Sequence, residues 1–170
     1  MLEILQAPRY SFYDAEHGGG LWLGKAYGHS PAFHREPLEG LSHAATTYQV
    51  ARFYCALRRG TLANPEQVQL MREAMVNPGI NHKFVKGLAG HEDLEMYRKS
   101  GSWRDFHSDS ALVETGDQAY VMVALARNKR GSKWLERLAE PLHRLALSAE
   151  TLQPVMPRTL VAGSSISAAQ

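Results

Sequence analysis

Three strand-like segments follow one another with almost nothing between them: 95–103, 106–113 and 118–126. Parallel strands need a crossover of a dozen or more residues, so links this short force an antiparallel meander. Thr115-Gly116-Asp117 supplies the second turn. In the first segment Glu95, Tyr97, Lys99 and Gly101 alternate with Met96, Arg98 and Ser100, the period-two pattern of a strand. The third, Ala119 to Ala126, is almost wholly apolar, which predicts cover on both faces. After Gly131 a helix places Trp134, Leu138, Leu142 and Leu145 on one stripe, predicted to pack on the sheet.

Helical periodicity dominates the preceding part. Ser42 is a capping residue, and Ala45, Val50, Phe53, Tyr54 and Leu57 recur at helical spacing until Gly60. Asn64-Pro65-Glu66-Gln67 combines an Asn cap with Pro at the first helical position. Val68, Met71, Ala74 and Met75 form the expected inner face, and Asn77-Pro78-Gly79 stops the helix. A shorter helix over about 80–88 carries Phe84, Val85 and Leu88.

Earlier still, Phe12-Tyr13 and the run Leu21 to Tyr27 flank His17-Gly18-Gly19-Gly20, which reads as a hairpin or structured loop. No Lys-Ser/Thr and no helix follow those glycines, as a phosphate loop requires. Pro31, Pro37 and Gly40 keep the chain irregular up to the first helix. The expected fold is α/β (α+β): a three-stranded antiparallel sheet with a C-terminal helix, beside a helical cluster. Residues 1–147 form one partial domain, with an irregular part (1–41), a helical part (42–88) and the sheet with its terminal helix (94–147). Residues 148–170 end in Gly-Ser-Ser-Ile-Ser-Ala-Ala-Gln and read as a flexible tail.

At 170 residues, with 44% hydrophobic and 21% charged residues, the chain is long enough to bury a core. A net charge of +2, with Arg58-Arg59 and Asn128-Lys129-Arg130 at segment ends, is too dispersed for a nucleic-acid surface. The single cysteine, Cys55, reads as a buried, inert thiol. No run of 18 apolar residues predicts a membrane span, and residues 1–7 lack the basic start of a signal peptide. Eight histidines are scattered without metal-ligand spacing, so neither metal nor cofactor is expected.

Lys99-Ser100-Gly101 ends the first strand, with two antiparallel strands and a terminal helix after it and two helices before it. This order, over residues 42–147, resembles the penicillin-recognising serine hydrolases, especially class A β-lactamases. The resemblance is to the C-terminal part, because no serine here has Lys three residues later. It implies a β-lactam or D-alanyl peptide substrate of the peptidoglycan type, a periplasmic or extracytoplasmic setting, and acylation of a serine outside this chain. It also implies roles for four residues. Lys99 would put positive charge near the substrate carboxylate and the nucleophile, and Ser100 would hydrogen-bond that carboxylate. Gly101 would let substrate lie against the strand edge, and the backbone amide of Ser102 would be one oxyanion-hole donor.

The family's Ser-Asp-Asn motif precedes its Lys-Thr/Ser-Gly strand, so Ser108-Asp109-Ser110 reads as ordinary second-strand sequence. Glu36-Pro37-Leu38-Glu39 lies where the family carries its deacylating glutamate but has no matching Asn, so neither glutamate takes that role. The alternative reading is a non-catalytic binding or structural module, or an inactive truncated relative. Under the fragment reading a three-stranded sheet has an uncovered face or edge, which predicts a chain that is marginal or self-associating on its own.

Overall fold

The computed structural model describes residues 5–26 and 34–148. Its centre is the sheet β5 (Glu95–Trp103), β6 (Phe106–Thr115) and β7 (Gln118–Arg127), antiparallel in that order. Gly116 and Asp117 form the β6–β7 turn, and Gly116 supplies the positive φ of +58° that the turn requires.

Alternation along these strands builds two cores. Met96, Ala111, Val113, Met122 and Ala124 face one way, against Phe84, Leu88, Leu135 and Ala139. Tyr97 and Leu112 face the other, with Val121 and Ala119 beside them, against Phe12, Tyr54, Leu57, Leu62 and Val68. The apolar third strand is therefore covered on both faces, as expected, until its exposed Leu125.

One face is covered by α1 (Thr47–Arg58), with α2 (Pro65–Met75) beside it. The other is covered by the single turn α3 (Phe84–Gly87) and by α4 (Gly131–Ser148). Asn64 caps α2 through the Gln67 amide, with Pro65 opening the helix, as its sequence predicts. The glycine-rich stretch forms a hairpin, β1 (Tyr13–Asp14) with β2 (Gly19–Gly20), its ends held by aromatic packing of Tyr13 on Trp22.

Several expectations are corrected. The first helix starts at Thr47, not Ser42: Thr46 takes the Gln49 amide, while His43–Ala44 forms β4, paired with Trp22–Leu23 as β3. A cross-chain pairing there outcompetes the nearer cap. On α2, Val68 and Met75 face inward, whereas Met71 and Ala74 are exposed. The helix expected over 80–88 shrinks to four residues because 80–83 is tied to the sheet by its own carbonyls. On α4 the buried line is Gly131, Leu135, Ala139 and His143, leaving Trp134, Leu138 and Leu145 exposed and Leu142 half-buried. Small residues decide this. A Cβ on Gly131 would lie 2.7 Å from the His107 ring, and one on Gly87 would lie 2.2 Å from the Glu136 carbonyl, so the helix seats on its narrow side. Cys55 is exposed rather than buried. Tyr27 and Pro31 in the irregular stretch, and 149–170 of the expected tail, lie outside the described residues.

Among the described residues no helix is long and apolar enough to cross a membrane.

Candidate active site

The second half of β5 carries the four residues singled out by sequence. Val76 bridges Tyr97 on the outer side of this strand, and among the described residues β5 pairs from Lys99 to Trp103 on the β6 side alone. Lys99 is exposed, and its Nζ donates to the Ser100 carbonyl at 2.5 Å. Ser100 Oγ lies 3.3 Å from His82 Nε2. Gly101 sits opposite Ser108, and a Cβ there would lie 2.8 Å from Ser108 Oγ. The missing side chain thus makes room for a serine of the neighbouring strand.

Ser102 is exposed, but its hydroxyl is not idle. Lys83 Nζ lies 2.9 Å from Ser102 Oγ, and His107 Nδ1 lies 3.1 Å away on the other strand. Lys83 also donates to the Gly101 carbonyl at 2.7 Å and the Ser108 carbonyl at 2.9 Å. It is fully buried, and its backbone holds a φ of +52°, a conformation rare for a residue with a side chain. Burial drives its ammonium below the ordinary lysine range; Asp109 opposes this, while Arg98 and Lys99 add to it. The His82 imidazole is also lowered, by burial and then by Arg98 and Lys83.

What holds Lys83 there is a buried ion pair. Arg98 and Asp109 are 1% and 0% exposed at the side chain, and they meet through two contacts. Arg98 also donates to the carbonyls of Ile80 and His82, and Asp109 accepts the Phe84 amide at 3.0 Å. The two residues grip both sides of Lys83. Asp109 is therefore on the second strand, as read, and is there a buried anchor.

Sequence reasoning did not single out Lys83, His107, Arg98 or His82. Lys83 is 18, 19 and 25 residues from its partners, in a segment that reads as helix, so nothing local signals its burial. Alternation alone could have placed Ser100, Ser102 and Arg98 on one face of β5.

Glu36 lies elsewhere. It is buried, one oxygen accepts the Tyr13 hydroxyl at 2.5 Å, and the other accepts the Leu38 and Glu39 amides at 3.1 and 2.7 Å. Burial raises its carboxyl, but these hydrogen bonds more than offset that and hold it below the usual carboxylate range. The Tyr13 hydroxyl is correspondingly pushed up to about 12, by burial and then by Glu36. One oxygen of Glu36 is held by Tyr13 and the other closes the 36–39 turn. Among the described residues, His, Cys, Asp and Glu side chains form no group of three that could hold a metal ion.

The sequence model of the Beta-lactamase enzyme family matches residues 23–146. No curated protein matches the chain. Among solved structures, a β-lactamase from Sphaerobacter thermophilus DSM 20745 superposes with a TM-score of 0.53 at 21% identity, covering 71% of this chain and 46% of that one. PBP-A superposes with a TM-score of 0.51 at 15% identity, over 66% of this chain and 46% of its own. A mutant of PBP-A, described as an acyl-enzyme complex with penicillin G, gives 0.51 at 14% identity with the same coverage. The chain spans under half the length of these relatives.

Proposed function

The chain belongs to the β-lactamase enzyme family, and from that membership we propose that it forms the sheet-and-helix part of a serine hydrolase acting on β-lactams or D-alanyl peptides. The serine acylated in that reaction lies outside these 170 residues, none of which completes a Ser-x-x-Lys.

The observation that carries this reading is the outer edge of β5 along Lys99-Ser100-Gly101-Ser102, which no strand among the described residues pairs with. An extended acyl substrate can add to such an edge as a further strand, using backbone hydrogen bonds for affinity. Lys99, exposed and facing solvent, is positioned to attract the substrate carboxylate, and Ser100 to hydrogen-bond it. The Ser102 amide is the oxyanion donor this chain would contribute. One such donor is worth on the order of 3 kcal/mol of transition-state stabilisation. Deacylation is not assigned to Glu36, whose carboxylate is already committed to Tyr13 and the 36–39 turn.

The test uses the chain itself. Benzylpenicillin titrated into the isotope-labelled protein should shift the backbone amides of residues 99–103, and Lys99→Ala should abolish the shift. An unperturbed spectrum at saturating ligand overturns the reading.

The absent Ser-x-x-Lys favours a second reading, a binding module without chemistry. The two separate on whether the reading frame upstream of Met1 encodes Ser-x-x-Lys. In both, the free edge of β7 is proposed to drive self-association of the isolated chain.

A further inference from the structure

The hydroxyl of Ser102 stands between two nitrogen bases, and two arrangements of protons each leave one of them able to take its hydrogen. If Lys83 is an ammonium, its three N–H groups donate to the Gly101 carbonyl, the Ser108 carbonyl and Ser102 Oγ, and the Ser102 hydroxyl donates to His107 Nδ1. If Lys83 is neutral, its two N–H groups satisfy the two carbonyls. Its lone pair then faces the Ser102 hydroxyl, and His107 donates to Ser102 Oγ. The same four contacts are satisfied in both states.

Three further features set this serine apart from an ordinary surface hydroxyl. Among the described residues no carboxylate lies in ion-pair contact with Lys83: Asp109, whose charge still favours its ammonium, is bonded to Arg98, the Phe84 amide and the Ser110 amide. The Lys83 backbone holds a left-handed conformation, fixed from both sides by the Arg98–Asp109 pair. Ser102 itself is exposed on the unpaired strand edge, so an acyl donor can reach it. Burial favours the neutral amine at Lys83.

We propose that Ser102 is a nucleophile in its own right, with Lys83 Nζ and His107 Nδ1 as alternative proton acceptors, and that it takes an acyl group from an activated ester or β-lactam. In the step, Ser102 Oγ bonds to the carbonyl carbon and its proton passes to Lys83 or His107. The carbon–oxygen bond of the ester, or carbon–nitrogen bond of the lactam, then breaks, and the leaving group recovers that proton. A serine–lysine or serine–histidine pair is sufficient chemistry for acylation. This goes beyond the reading above, in which Ser102 supplies only its amide.

The experiment treats the full 170-residue chain with p-nitrophenyl acetate and reads intact mass and peptide mass. One acetyl group on Ser102 is expected, with a rate that rises with pH and levels off below the ordinary lysine range. Ser102→Ala should remove the adduct. His107→Gln, which leaves Lys83 in place, should slow labelling when Lys83 is protonated and spare it at high pH. Lys83→Met should slow labelling about 100-fold at high pH; because it removes a buried amine, circular dichroism accompanies it. A folded wild-type chain with no adduct, an adduct on Lys83 instead, or a Ser102 adduct that both base variants leave unchanged overturns the proposal. The outcome is independent of penicillin binding: shifted amides without a Ser102 adduct sink this inference alone, and an adduct without shifted amides sinks only the proposed substrate.

Discussion

Arg98 and Asp109 form a two-contact ion pair across β5 and β6, with Nε to Oδ1 at 2.8 Å and a terminal guanidinium nitrogen to Oδ2 at 2.9 Å. Both side chains are out of water, and the remaining donors of Arg98 close on the carbonyls of Ile80 and His82. The pair joins the sheet to the segment that carries Lys83. Removing one member strands a buried charge, which costs about 3–5 kcal/mol. Asp109→Ala should therefore lower the unfolding free energy measured in urea by that amount and free the 80–84 amides to exchange with solvent. Fast exchange confined to the loop, at unchanged stability, would show that the pair positions Lys83 without supporting the fold.

Among the described residues the Lys99 side chain makes one hydrogen bond, to its neighbour's carbonyl, from an exposed position. Lys99→Ala is expected to change stability by less than about 0.5 kcal/mol while removing penicillin-induced shifts at 99–103. A large fall in Tm would mean that Lys99 is structural.

Glu36 sets an acid limit. Its carboxyl is held below the usual range in the folded chain, whereas an unfolded glutamate titrates near about 4.3. A lowered folded value gives stability that is fully present above the unfolded pKa and is lost as pH falls through the folded one. Melting temperature should fall below about pH 4, and Glu36→Gln should flatten that part of the profile. Identical profiles for wild type and variant would remove Glu36 as the cause.

Gly87 and Gly90 make a matched pair. A Cβ on Gly87 would meet the Glu136 carbonyl at 2.2 Å and the Ala139 Cβ at 2.7 Å, while one on Gly90 meets nothing within 4 Å. Gly87→Ala should destabilise by about 3 kcal/mol by pushing α4 off α3, and Gly90→Ala should be near neutral. Equal Tm values for the two would contradict the seating of α4.

Sedimentation velocity tests the free edge. Among the described residues β7 pairs with β6 alone, and Leu125 on it is 42% exposed. Association should rise with concentration, and Leu125→Lys should suppress it, since an edge lysine opposes strand addition. A monomer at all concentrations would retire the idea.

How much was legible depended on how local the signal was. The strands at 95–103 and 118–126 and the Asn64-Pro65 helix start were readable because alternation and capping act within a few residues. The start of α1 was misread because His43–Ala44 finds a partner, Trp22–Leu23, some twenty residues away. The α4 stripe was misread because Trp134, Leu138, Leu142 and Leu145 have the right period but not the thin profile that Gly131 and Ala139 offer the sheet.

The same division runs through the site. By itself the sequence determined the antiparallel meander and the Lys99-Ser100-Gly101 strand, since short links and alternation leave one topology, and the order of elements around that tripeptide carried the resemblance to the family. Only the tertiary structure decided that Lys83 is buried against Ser102 and that Arg98 and Asp109 hold it there. Burial and ion pairing depend on which distant backbone closes over a side chain, and no local pattern encodes that.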